Sequence, residues 1–240
     1  MAKPKTSNVF NVLSELPETL LSGLFEDAIA RTLRDGEALF RAGDVGDGCY
    51  RIQTGLVKIM VTSQQGEERI ISLLGPDAIV GELSTIDGRP RAATVVAIAD
   101  CSLAFVSQDK FQKYSEAHPE LASYLVRILA RRLRAADDAL AAATFLSVKG
   151  RLARALLSLA EYVGEADGGG RIQLRHKISQ SELAAMAGVA RENVSRTMSE
   201  WRKRDIVTRS SNYYCINDPN ALARDMEADS SCSSLSLVGR

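Results

Sequence analysis

The run Gly81-Glu82-Leu83-Ser84-Thr85-Ile86-Asp87-Gly88-Arg89-Pro90-Arg91-Ala92-Ala93 sets glycines, a carboxylate and an arginine close together between apolar stretches. Such a combination can cradle one small anion. Backbone donors converge on it, and Arg91 offers a fixed cation able to make a charge-assisted, two-pronged bond to a phosphate. Glu82 can accept a hydrogen bond from a sugar hydroxyl. A hydrogen bond to a charged group contributes on the order of 1.5–3 kcal/mol, enough for Arg91 to decide the affinity of a small nucleotide. Taken only as residues, the same stretch also fits a surface loop in which Gly88 and Pro90 make a turn.

A second constellation lies in the C-terminal third. Ser179-Gln180-Ser181-Glu182 opens an apolar run, Ala187-Gly188 allows a tight turn, and Ala190-Arg191-Glu192-Asn193-Val194-Ser195-Arg196-Thr197-Met198 follows as a second helix with Val194 and Met198 facing inward. This is helix-turn-helix spacing. Arg191, Glu192 and Arg196 then point outward, toward a major groove. There arginine pairs with guanine O6 and N7 and glutamate accepts from cytosine N4, each good bidentate contact being worth roughly 1–3 kcal/mol of discrimination. The bland alternative is a helical pair with solvated charges.

The elements that must carry these groups differ in kind. Apolar positions between Ser7 and Ala30, interrupted by Pro17, predict short amphipathic helices. From Arg31 to about Val106, short β-type runs alternate with glycine-marked turns: 38–40, 49–52, 56–61, 69–74, 94–98 and 102–106. Many short strands favour a sandwich or roll. After His118-Pro119, the residues Ala122, Val126, Leu129, Leu133, Ala136, Leu140 and Ala143 recur at alternating spacings of four and three. That is a coiled-coil seam, whose expected use is a parallel homodimer, although the same pattern also fits an ordinary helix packed on its own domain. Leu152, Leu156, Leu157 and Leu159 give the next helix an apolar face, and the segment Gly164 to Gly170, with Gly168-Gly169-Gly170, is expected to end that helix as a flexible turn. Ile206-Val207 and Tyr213-Tyr214-Cys215-Ile216 flank Arg209-Ser210-Ser211-Asn212 as a hairpin fitting the wing of a winged helix.

Composition limits the remaining classes. The chain has 240 residues, 45% hydrophobic and 25% charged, with a formal net charge of +0. Lys149 to Asp218 nevertheless holds twelve Lys or Arg against eight Asp or Glu, so the basic excess is local. No apolar stretch approaches the roughly 20 residues of a membrane span, and a cytoplasmic location without membrane contact is expected. Cys49, Cys101, Cys215 and Cys232 lack paired spacing, which predicts free thiols and no metal. His118 and His176 stand apart from nucleophile partners, and Ser84 follows no nucleophile elbow, so the chain is not expected to be an enzyme.

The run G-E-L-S followed by P-R-A-A-T-V resembles the phosphate-binding cassette of cyclic-nucleotide-binding domains. Phe40-Arg41-Ala42-Gly43-Asp44-Val45-Gly46-Asp47 and Tyr50 to Val57 resemble the glycine-marked strands of the same domain. Phe145 to Ala153 and Ala190-Arg191-Glu192-Asn193-Val194-Ser195-Arg196 resemble the hinge and recognition helix of the cyclic AMP receptor protein and FNR (CRP/FNR) family of transcription regulators. The likeness covers roughly Val9 to Asn217. It implies an α+β chain with an N-terminal jelly-roll-like cyclic-nucleotide-binding β-barrel (1–117), a long dimerisation helix and hinge (118–146), a C-terminal winged helix-turn-helix domain (147–220) and a disordered tail (221–240). Gly81, Glu82, Leu83, Ser84, Arg91, Ala92 and Ala93 would bind cAMP or cGMP, with Ala136 and Asp137 reaching the base. Ser179, Ser181, Arg191, Glu192 and Arg196 would meet double-stranded DNA at TGTGA-like half-sites. A second copy of the chain and RNA polymerase are the further partners implied.

Two departures bear on the effector. Ala136 and Asp137 stand where the best-known cyclic AMP receptor proteins carry a Thr-Ser pair that contacts adenine. A carboxylate only accepts, so Asp137 suits the adenine amino group or, better, the two adjacent donors of guanine. Ala92 stands where some cyclic-GMP-selective domains carry Thr, which points the other way. Alternatives to this reading are a regulator of the same build that senses another small molecule or needs none, and a cyclic-nucleotide-gated regulatory subunit of a protein partner.

Overall fold

The computed structural model describes residues 17–227. Pro17 caps a short helix, α1 (Glu18–Leu24), and does not merely interrupt one. Eight strands follow: β1 (Ile29–Leu33), β2 (Ala38–Phe40), β3 (Gly48–Thr54), β4 (Val57–Thr62), β5 (Glu68–Leu74), β6 (Ile79–Val80), β7 (Thr94–Ala97) and β8 (Cys101–Ser107). They form two antiparallel sheets, ordered β1-β8-β3-β6 and β2-β7-β4-β5. These sheets share no strand, so the jelly-roll-like domain is a double-layered sandwich and not a hydrogen-bonded closed barrel. Alternating side chains explain the layering: Ile52, Val57, Leu74, Val95 and Leu103 come from both sheets and pack into one core.

The outer face of the first sheet is covered by helices. Leu21 and Leu24 of α1, Phe111 of α3 (Gln108–Ala117) and Leu121 and Ile128 of α4 (Glu120–Phe145) join Cys49 and Val106 in a second core. In α4, Leu121, Ile128 and Ala135 are buried at seven-residue intervals. The predicted seam lies on another face: Val126, Leu133 and Leu140 are 64%, 64% and 68% exposed. One compact unit ends at Ala135 and the other begins at Ala136.

In the second unit, α5 (Val148–Val163) is capped by Ser147 and buries Leu152, Leu156 and Leu159. It packs against α6 (Gln180–Ala187), α8 (Pro219–Glu227) and a small sheet. That sheet runs β11 (Val207–Ser210), β12 (Tyr213–Ile216), β10 (Ile172–Leu174), β9 (Gly164–Ala166). The β11–β12 connection is the predicted hairpin. Ser210 pairs with Tyr213, and Ser211 and Asn212 hold φ of 49° and 71°, as a two-residue type I′ turn demands. The chain from 221 onward does not begin as a disordered tail, because α8 continues to Glu227 with Ala221 and Leu222 buried. The remainder of that segment lies outside the described residues, as does the N-terminal part of the expected amphipathic helices.

Candidate nucleotide and nucleic-acid sites

The cassette is not a loop. Gly81, at φ 85°, caps a one-and-a-half-turn helix, α2 (Glu82–Asp87), and Gly88 ends it in the left-handed conformation. Beneath it lies Arg91, only 4% exposed. Its Nη1 donates to the Gly81 carbonyl at 2.8 Å and to Ser84 Oγ at 2.7 Å, and its Nη2 donates to Asp47 Oδ1 at 2.7 Å. The guanidinium carbon sits 4.2 Å from the centre of the Phe40 ring. Ser84 Oγ and Thr85 Oγ1 also donate to the Gly81 carbonyl. Gly81 has no room for a side chain: a β-carbon there would lie 2.5 Å from Arg91 Nη1.

Two observations test whether this set suits a cyclic nucleotide. Arg91 Nε is buried without an acceptor, an expensive state for a cationic donor unless an anion completes it. The first turn of α2 also leaves backbone N–H groups without intrahelical partners. A phosphate supplies acceptors for both, so the residues fit the group.

Glu82 is 3% exposed and pairs with Arg132 of α4. Arg132 Nη2 additionally donates to the Ile79 carbonyl at 3.0 Å. The buried carboxylate is therefore neutralised, and can still accept from a hydroxyl through its remaining lone pairs. Leu83 is 40% exposed on the outer side of α2, Ala92 is exposed, and Ala93 is half-buried. Burial first, then the charge of Glu82, pushes the Cys49 thiol upward, so it stays protonated. Ala136 and Asp137 are exposed on α4.

Arg132, Asp47 and Phe40 were not among the residues expected at this site. Arg132 had a signal. It falls between Ile128 and Ala135 on the inward side of α4, where a charge must have a partner. Asp47 stands between two glycines directly before β3, where nothing local announces its ion pair.

The second site is built on α7 (Arg191–Lys203). Val194, Thr197, Met198 and Trp201 are buried, which turns Arg191, Glu192, Ser195 and Arg196 outward. Among the described residues, Arg191, Glu192 and Arg196 make no ion pair or side-chain hydrogen bond. They are free to meet a ligand. Gly188 ends α6 with φ 61°, and its carbonyl accepts from Arg151 Nη1 at 3.0 Å, fixing the turn between the helices.

Ser179 behaves differently from Ser181. Its Oγ accepts from the Glu182 N–H at 3.0 Å and donates to Glu182 Oε2 at 2.9 Å, and its own N–H donates to the same oxygen. This is a complete capping box. A phosphate at Ser179 must compete with it, whereas Ser181 is exposed. The wing is tied down by Ile178 N–H donating to the Asn212 carbonyl at 3.0 Å.

At the far end of α7 the charges are paired. Trp201 Nε1 donates to Asp225 Oδ2 at 2.8 Å, and Lys149 and Arg204 each lie 3.2 Å from that oxygen. Burial works to raise Asp225, but the bonds from Trp201 and Lys149 outweigh it and hold the carboxyl below its ordinary value. Glu200, bridging Lys149 and Arg204, is held low chiefly by the Lys149 bond. Among the described residues no helix is long and apolar enough to cross a membrane, and no group of three or more His, Cys, Asp or Glu could hold a metal ion.

Known proteins share this layout. The cyclic nucleotide-binding domain family matches residues 30–118, and the Crp-like helix-turn-helix domain family matches residues 150–225. A CRP-like cAMP-activated global transcriptional regulator of Mycobacterium tuberculosis is 33% identical over 189 residues, covering 79% of this chain and 84% of its own. The cyclic AMP receptor protein of Thermus thermophilus is 35% identical over 177 residues, 74% of this chain and 78% of its own. Among solved structures, the c-di-GMP-responsive global regulator CLP of Xanthomonas campestris shares the fold, with a TM-score of 0.73 at 22% identity over 83% of this chain and 99% of that one. These relatives are regulators and not enzymes. The two family matches together span most of the described residues, and the chain belongs to the CRP/FNR family of cyclic-nucleotide-binding, DNA-binding transcription regulators.

Proposed function

We propose that the chain acts as a homodimer whose grip on DNA is set by a cyclic purine nucleotide, cAMP or cGMP, bound by each sensor domain. The observation that carries the effector is Arg91, a deeply buried guanidinium with an unspent Nε–H in a cradle closed by Gly81. Arg91 would hold the phosphate with Ser84 and the Gly81 to Ala93 backbone around it, and Glu82 would take a ribose hydroxyl. The exposed apolar seam of α4 supports pairing with a second copy, because Val126, Leu133 and Leu140 otherwise face water on one stripe. Ala136 and Asp137, on or beside that seam, would then meet the base, with the Asp137 carboxylate favouring guanine.

Two recognition helices in a dimer read half-sites one DNA turn apart. Arg191, Glu192 and Arg196 would take base edges of TGTGA-like half-sites, Ser181 and Ser179 would lie near phosphate, and RNA polymerase would be the further partner, in the cytoplasm. Switching requires the nucleotide to bind one dimer arrangement more tightly than the other. The test is a calorimetric titration of cAMP and of cGMP, repeated with a fluorescent TGTGA-type duplex. DNA affinity should rise when either nucleotide is present; equal affinity with the pocket empty and full would overturn the proposal. Asp137→Ala should lower the ratio of cGMP to cAMP affinity, and an unchanged ratio removes the base-reading role from that residue.

A further inference from the structure

The seam of α4 has a charge pattern that the homodimer reading alone does not use. With Val126, Leu133 and Leu140 at the a positions and Leu129 and Ala136 at d, Arg132 occupies g and Asp137 occupies the e position of the next heptad. In a parallel pair, g of one helix faces e of the following heptad on the other, five residues further along, and charges there set partner and orientation. Three such pairings fall within the helix: Leu125 with Ala130, Arg132 with Asp137, and Ala139 with Thr144. Only one carries charge, and its signs are opposite.

Both members are available. Asp137 is exposed and has no ion pair or hydrogen bond from its side chain among the described residues. Arg132 spends Nη1 on Glu82 and Nη2 on the Ile79 carbonyl, leaving other N–H donors of its five, and its side chain is 23% exposed. The geometry points to a bridge: in the homodimer, Arg132 of each protomer joins its own cassette carboxylate, Glu82, to the partner's Asp137. Two symmetric bridges then flank the seam, and a single guanidinium couples the cassette wall of one subunit to the helix of the other. The inference rests on the homodimer reading and adds to it a second role for Asp137, at the subunit boundary.

A double-mutant cycle on dimer dissociation tests it. Changing Arg132 alone strands a buried carboxylate, so the cycle is run on the full chain in a Glu82→Gln background, which leaves no such charge: Arg132→Gln, Asp137→Asn and both together, measured by sedimentation and fluorescence dilution. Exposed pairs contribute little individually, and two per dimer correspond to about a 2- to 30-fold rise in the dissociation constant for Asp137→Asn. The expected result is an effect of Asp137→Asn that vanishes once Arg132 is Gln and shrinks at about 1 M salt, where charges are screened. Additive effects in a protein that remains dimeric overturn the bridge while leaving the homodimer intact. A protein that stays monomeric at every concentration overturns both.

Discussion

Replacing Gly81 by Ala separates the cradle from the turn that contains it. The new β-carbon would stand 2.5 Å from Arg91 Nη1 and 3.3 Å from the Gly48 carbonyl oxygen, and Gly81 holds φ +85°. The left-handed backbone costs an L-residue about 1–2 kcal/mol. The close contact requires Nη1 to leave the Gly81 carbonyl and Ser84 Oγ, which it now meets at 2.8 and 2.7 Å. Displacing the guanidinium from its aim on a phosphate forfeits a charged hydrogen bond, on the order of 1.5–3 kcal/mol, or about 10- to 150-fold in nucleotide affinity. Gly88 provides the control. Its φ is +69° and a β-carbon there meets nothing within 4 Å, so Gly88→Ala carries similar backbone strain without the clash. Urea unfolding should show losses of about 1–2 kcal/mol for Gly88→Ala and more for Gly81→Ala. Calorimetry with cAMP and cGMP should then show weakened binding for Gly81→Ala and a change within about 3-fold for Gly88→Ala. If the two variants bind nucleotide equally well, Arg91 is not the anion's anchor and the reasoning fails.

Other perturbations address the DNA-binding unit. Asp225 has a folded pKa below its unfolded value, so its contribution to stability is present above about pH 4 and is lost as pH falls through the folded value. Asp225→Asn should flatten that acid limb in thermal melts and lower stability at pH 7; an unchanged pH profile would remove Asp225 from the account. Arg191→Ala and Arg196→Ala should each cost roughly 1–3 kcal/mol on the preferred duplex with less effect on a scrambled one. Equal losses on both duplexes would mean phosphate contact and not base reading.

Much of this architecture is legible in the order of residues, and the exceptions share a cause. The strands from β2 to β5, β7 and β8, the capped α6, the inward face of α7 and the α4 seam all follow from local periodicity and turn chemistry. β1 was harder because its burial runs exposed for four residues before Leu33, so no alternation marks it. β6 has two residues, too few to show a period. α2 was hidden by the glycines at both of its ends, which suggest a loop until their left-handed caps are seen. The pair of Glu82 and Arg132 spans 50 positions. That contact is a product of the tertiary fold, as is the anchoring of α8 through Asp225. Ser179 shows the reverse: its cap was apparent from spacing, but not that the cap also takes the hydroxyl's single proton donor.

The sorting of charge along α7 has a consequence for how tightly ionic conditions govern promoter occupancy. Lys149 and Arg204 already carry internal counter-charges in Glu200 and Asp225, so their approach to a polyanion releases little of its condensed ion atmosphere. The logarithmic decline of affinity with added electrolyte counts neutralised phosphates at about 0.9 per contact. It should therefore register mainly the unpaired guanidinium groups at the front of the helix, giving a shallower decline than the basic tally of the domain suggests and leaving base identity a larger share of the discrimination.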